Sequence, residues 1–201
     1  MIDFKYFEKP EAYVGLRDGE TVCDTCRQLK LCFDATTFYG MDDLNSICPD
    51  CLAGGKLADK NAFTCEGDIG TLREQLIQLN PNLNENGINA LAENKTFELE
   101  KTTPHLVTWQ DWSWPASDGD YCKFIGYGSK PFYKKLANSI SAEDFFENSF
   151  YDSDSYSDDL WSDAVSDKEI KNYTDSSKYS TLFYVFKSLN SGKIITIWDC
   201  D

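Results

Sequence analysis

Apolar and polar positions along the chain fall into short patterned runs separated by turn formers. Leu29-Lys30-Leu31-Cys32-Phe33-Asp34 alternates with period two, the mark of a half-buried strand, and ends in a turn region at Thr36, Thr37 and Gly40. Ile47-Cys48-Pro49-Asp50-Cys51-Leu52-Ala53 opens a short helix. From Thr71 the period changes. Leu72, Leu76 and Leu79 fall at i, i+4 and i+7 on one helical stripe, with Thr71 and Glu74 in capping-box spacing at its start and Asn80-Pro81 at its end. A second, weaker helical piece holds Ile88, Leu91 and Ala92, with Gly87 counting against it. Residues 97–133 mix Trp109, Trp112 and Trp114 with turn formers and read as strands joined by turns, their rings filling a core. Two β-rich runs, 182–187 and 193–198, flank the turn Ser188-Leu189-Asn190-Ser191-Gly192 and predict a hairpin over 181–199.

Composition narrows what such a chain can be. Its 201 residues suit one domain or two small ones, and 41% hydrophobic with 14% aromatic content separates it from acidic disordered chains, which lack aromatics. Nineteen Lys and Arg face 34 Asp and Glu, a formal charge of −15. Unspecific nucleic-acid binding and adhesion to anionic lipid both need the opposite sign, so neither partner is expected. The first residues are charged at every second or third position, and no run approaches the roughly 20 apolar residues of a membrane span. The chain therefore reads as cytoplasmic.

The charge is unevenly placed. Ten acidic residues and one base lie between Glu143 and Glu169, so −9 of the −15 sits in 27 residues. The same segment carries Phe145, Phe146, Phe150, Tyr151, Tyr156, Leu160, Trp161 and Val165 and thus has an apolar side to dock. Residues 151–159 read as a loop, and 141–149 and 159–172 as short helices.

Chemistry concentrates elsewhere. Cys23-x2-Cys26 and Cys48-x2-Cys51, with 21 residues between the pairs, are spaced to direct four thiolates at one tetrahedral ion. Structural zinc is the first reading; iron, an iron–sulfur cluster and redox thiols are the alternatives. A four-sulfur site has no open coordination position and does no catalysis. The fold expected is α+β, with a four-cysteine zinc-ribbon-like module over 1–66 and, over 67–201, a helical segment followed by a mainly antiparallel β region ending in the hairpin. Catalysis is not expected. The chain has one histidine, His105, with no acid pair beside it, and no phosphate-binding loop, dinucleotide fingerprint, nucleophile elbow or zinc-protease helix.

Taken in order, Phe4-Lys5-Tyr6-Phe7, Cys23-x2-Cys26, Cys48-Pro49-x-Cys51-Leu52-Ala53-x-Gly55, Thr103-Pro104 with Trp109-Gln110, Gly119-Asp120-Tyr121-Cys122-x-Phe124-x-Gly126-Tyr127 and Leu182-Phe183-x-x-Phe186 resemble the CbrC family. These are small bacterial proteins named for a member linked to colicin tolerance. The chain departs from the family pattern twice. Ser117-Asp118 stands where the family has a His-Cys pair, and Ser188 to Gly192 stands where it has a Cys-x-x-Cys-Gly knuckle. Serine keeps the shape of cysteine without its soft thiolate, so one zinc ion is expected, not two.

The resemblance and the charge together imply an immunity or tolerance protein that binds and neutralises a basic, nuclease-like bacterial toxin domain. Interface anchors are often Tyr and Trp within a charged rim, which selects Tyr151, Asp154, Tyr156, Asp158, Asp159 and Trp161 as the partner-binding set. The alternative is a zinc-stabilised interaction or regulatory protein with no toxin partner.

Overall fold

The computed structural model describes residues 2–157 and 159–201. Helix α1 (Pro10–Tyr13) leads into strands β1 (Leu16–Val22), β2 (Leu29–Asp34), β3 (Tyr39–Gly40) and β4 (Ser46–Ile47), followed by helix α2 (Pro49–Ala53) and strand β5 (Ala62–Phe63). Helices α3 (Ile69–Leu79) and α4 (Glu85–Thr102) come next, then strands β6 (Ala116–Ser117), β7 (Asp120–Tyr121) and β8 (Lys123–Tyr127). Helices α5 (Lys130–Leu136) and α6 (Ala142–Glu147), a π-helical turn at Leu160–Ala164 and helix α7 (Tyr173–Ser176) precede the last strands, β9 (Thr181–Lys187) and β10 (Ile194–Cys200). The fold is α+β. Two three-stranded antiparallel sheets, in the orders β1-β2-β4 and β10-β9-β8, are joined by two smaller two-stranded pairings.

The predicted strand at 29–34 and the C-terminal hairpin form, and the hairpin register pairs Lys187 with Ile194 across the turn. Residues 182–186 are buried without alternation because β9 is the central strand and both its faces are covered. Leu182, Tyr184 and Phe186 enter one apolar cluster with Phe7, Trp114 and Phe124, while Phe183 and Val185 enter a second with Tyr133, Phe146, Leu160 and Val165. The acidic segment docks through that second cluster. Phe146 is its hub, with ring centroids 5.0 Å from Tyr133, 5.2 Å from Phe183 and 5.4 Å from Trp161.

Two helical expectations change. The cap of α3 is Asp68, whose carboxylate accepts from the Thr71 N–H at 3.0 Å; the helix therefore starts at Ile69, and Thr71 and Glu74 lie inside it. Leu72 and Leu76 are buried, whereas Leu79 is 59% exposed. The weak piece around Ile88 is in fact the longest helix. Asn84 caps it through the Gly87 N–H at 2.9 Å, so that glycine sits in the first turn, where it costs little, and the helix runs on to Thr102. It stops there because Thr103 precedes Pro104 and takes an extended conformation. The stretch from 97 expected as strand is thus helix for its first six residues, and 130–136 is helix as well.

One buried cluster takes in residues on both sides of position 66, from Phe33 and Ile47 to Trp114 and Phe186. The N-terminal residues contribute directly to it. Phe7 bridges Phe124 in parallel, Phe124 N–H donates to the Tyr6 carbonyl and Glu8 N–H to the Phe124 carbonyl, each at 2.9 Å.

Candidate metal centre

Each cysteine pair sits on a turn whose shape the backbone sets. Cys23 follows β1 directly, and the turn to β2 is closed twice: Cys23 N–H donates to the Gln28 carbonyl and Arg27 N–H to the Cys23 carbonyl, both at 2.9 Å. Arg27 adopts φ +60°, the left-handed conformation that turns the chain back after the second cysteine. Cys48 follows β4 and precedes Pro49, the first residue of α2, which places Cys51 one helical turn away. The two turns are locked to one another. Asp24 accepts from the N–H groups of Asn45 and Ser46 at 2.7 and 3.1 Å, and Ser46 Oγ donates to the Val22 carbonyl at 2.7 Å. Asp24 is a positioning residue that spacing alone does not reveal, since any residue type satisfies the second position of Cys-x-x-Cys.

The result is four sulfurs all within 4.8 Å of one another. Cys26 and Cys48 sulfurs lie 3.9 Å apart, and the Cys48 N–H donates to Cys23 Sγ at 3.3 Å. Metal–sulfur bonds of about 2.3 Å in a tetrahedron put the sulfurs roughly 3.8 Å apart, so the set fits one four-coordinate ion. The electrostatics agree. Burial raises the Cys23 thiol, but the N–H groups of Cys26, Cys48 and Thr25 directed at its sulfur outweigh that and bring it down to about 6. Burial pushes Cys48 and Cys51 up; neighbouring thiols add to the shift at Cys51, while at Cys48 the Cys51 N–H and thiol oppose it and Cys23 adds to it. One thiolate forms readily here; four together need a cation between them. Cys23 and Cys48 are fully buried, Cys51 nearly so and Cys26 partly, so an ion held by all four would be largely shielded from water.

Cys32 borders this set, its thiol within reach of Cys23, whereas Cys65, Cys122 and Cys200 lie outside it; no cysteine is in a disulfide. The turn at 188–192 repeats the geometry of the first knuckle without its sulfur. Ser188 N–H donates to the Lys193 carbonyl at 2.8 Å, Gly192 N–H to the Ser188 carbonyl at 3.1 Å, and Gly192 has φ +76°. Facing it, Asp118 Oδ2 accepts from Ser191, Ser188 and Ser117 hydroxyls at 2.6, 2.7 and 3.0 Å. Those hydroxyls hold the Asp118 carboxyl below the usual carboxylate range. His105 is buried, with Nδ1 2.7 Å from the Thr64 carbonyl and its ring against Phe38 and Tyr39.

The residues expected to meet a partner divide by type. Tyr151 is half-buried and donates to Asp68 at 2.8 Å; Tyr156 donates to Glu147 at 2.6 Å and packs on Phe146 and Phe150; Trp161 packs on Phe146 and Tyr133. Asp154 and Asp159 are exposed, and Asp158 lies outside the described residues. Among the described residues, no helix is long and apolar enough to cross a membrane.

A protein-family model matches residues 1–200: that of the uncharacterised protein family UPF0167, to which CbrC belongs. No solved structure matches the chain.

Proposed function

The chain belongs to UPF0167, and from that premise we propose that it is a non-catalytic immunity protein, held by one structural zinc, that binds and neutralises a basic, nuclease-like toxin domain in the cytoplasm. Zinc is the ion that four cysteine sulfurs in a closed tetrahedron suit best. The observation that carries the partner reading is the build of the acidic segment. Its rings face inward onto the sheet, and Glu143, Asp144, Glu147, Asp152, Asp154, Asp159, Asp163 and Asp167 are all exposed around them. An aromatic base thus presents a rigid, strongly negative face, which steers and covers a basic phosphate-binding cleft.

The test is co-purification with the product of the neighbouring gene, paired with a protection assay. Expected are a complex that weakens as salt shortens the Debye length, and loss of protection in Asp154→Lys/Asp159→Lys with the fold intact. A protein that forms no complex and gives no protection would leave only the zinc-stabilised interaction protein.

A further inference from the structure

An open groove of about 860 Å3 lies where α1, α5, α6 and the β8–β10 sheet meet. Its lining includes the apolar side chains of Tyr13 of α1, Ile125 of β8, Phe132 and Leu136 of α5, Phe145 of α6 and Ile194 of β10, beside the polar Asn138, Asn148 and Ser149. Four exposed lysines line it: Lys9, Lys171, Lys187 and Lys193. The two glutamates in the lining already have cations, Glu8 pairing with Lys9 at 3.5 Å and Glu169 with Lys135 at 2.7 Å. Among the described residues Lys171, Lys187 and Lys193 form no close ion pair, although Lys171 lies within the fields of Glu169 and Asp175 and Lys193 within that of Asp118. Strand register sharpens the point. Lys187 sits directly across from Lys123, which pairs with Asp3 at 3.3 Å, while Lys187 has no such partner. In a chain of charge −15, a lining with four lysines against two glutamates carries a local excess of positive charge.

We propose that this groove binds a small amphipathic organic anion, free in solution, with an apolar body and one carboxylate. The volume is within the usual range for small-molecule sites, roughly 300–1,000 Å3, and the lining joins apolar side chains to a few charged groups that fix orientation. The apolar side chains take the apolar body, and Lys171, Lys187 and Lys193 hold the carboxylate at the rim. The net charge repels anions at a distance, so affinity rests on these local contacts. The proposal does not depend on a toxin partner, because it uses the inner side of α6 and not the exposed acidic face.

The probe is decanoate, titrated calorimetrically into the full chain and followed by amide chemical shifts, with decanol and acetate as its neutral and headgroup-only counterparts. Decanoate is expected to saturate one site and to shift amides at Ile125, Phe132 and Ile194. Lys171→Glu/Lys187→Glu is expected to weaken it by about tenfold or more, whereas Lys56→Glu/Lys134→Glu, which changes net charge equally outside the lining, stays within about twofold. Equal binding of decanol or acetate, equal weakening by both lysine pairs, or no saturable decanoate binding would each overturn the proposal.

Discussion

Replacing Tyr151 with Phe separates the structural role of the acidic segment from any role at a partner surface. The Tyr151 hydroxyl donates to Asp68 Oδ2 at 2.8 Å and accepts from the Ala116 N–H at 3.3 Å, so one oxygen ties the segment to the α3 cap and to β6. A hydrogen bond to a charged acceptor is worth about 1.5–3 kcal/mol, the lower end applying to this half-exposed pair, and the buried Ala116 N–H loses a weak acceptor in addition. The expected destabilisation is therefore about 2 kcal/mol at pH 7. Urea denaturation should show it as a lower midpoint at unchanged slope. The pH dependence carries the mechanism. Burial raises the Asp68 carboxyl, but donors from Thr71 and Tyr151 outweigh this and hold it below its ordinary value. A depressed carboxyl stabilises the fold above its unfolded pKa, about 3.9, and loses that contribution as pH falls through the folded value. Tyr151→Phe should therefore cost most at neutral pH and converge on the parent protein in acid. A loss below about 0.5 kcal/mol, or one equally large after Asp68→Asn, would refute the strut and free Tyr151 for a partner.

The protein should carry one metal equivalent, lost in Cys48→Ser together with a fall in thermal midpoint; two equivalents by elemental analysis would mean that the serine turn at 188–192 ligates after all. His105, as the one histidine, gives an unambiguous proton resonance, and because burial outweighs its bond to the Thr64 carbonyl, its titration should fall below 6.5. Its contribution to stability should be present above the unfolded pKa of about 6.5 and lost as pH drops through the folded value; a midpoint at or above 6.5 would contradict its placement. Gly128→Ala should cost about 1–3 kcal/mol by urea denaturation, since the added carbon meets Phe183 Cβ at 2.8 Å and the Tyr133 hydroxyl closer still; a neutral effect would mean that this core yields.

What the sequence disclosed was whatever depends on near neighbours. The strand at β2, the hairpin turn and the two cysteine pairs rest on local patterns and form at their expected places, although burial within β2 does not follow the alternation: Leu29 and Leu31 are exposed, and Cys32 and Phe33 are buried side by side. The α3 cap was misplaced because Asp68 and Thr71 both suit that role, and a carboxylate three residues upstream of an N–H competes well with a capping box. Gly87 masks the length of α4 in the sequence, because its cost is small in the first turn and large in the interior, and only the Asn84 cap decides which applies. Periodicity could not show that β9 is covered on both faces, since that depends on α5, α6 and the N-terminal residues arriving from opposite ends of the chain. The lysine-lined groove left no trace at all, its cations being scattered from Lys9 to Lys193.

The bridge between the first residues and β8 also bears on biosynthesis. The Tyr6 hydroxyl reaches Asp120 at 3.0 Å across 114 positions of sequence, and Tyr6 and Phe7 are buried against Tyr121, Trp114 and Phe124, which a ribosome makes much later. At roughly 5–20 residues per second, these two aromatic side chains wait on the order of ten seconds for those partners, while the cysteine knuckles can already close around an ion. Metal supply during translation would then decide whether the nascent chain meets its later half with one end already ordered, or with both ends open to aggregation.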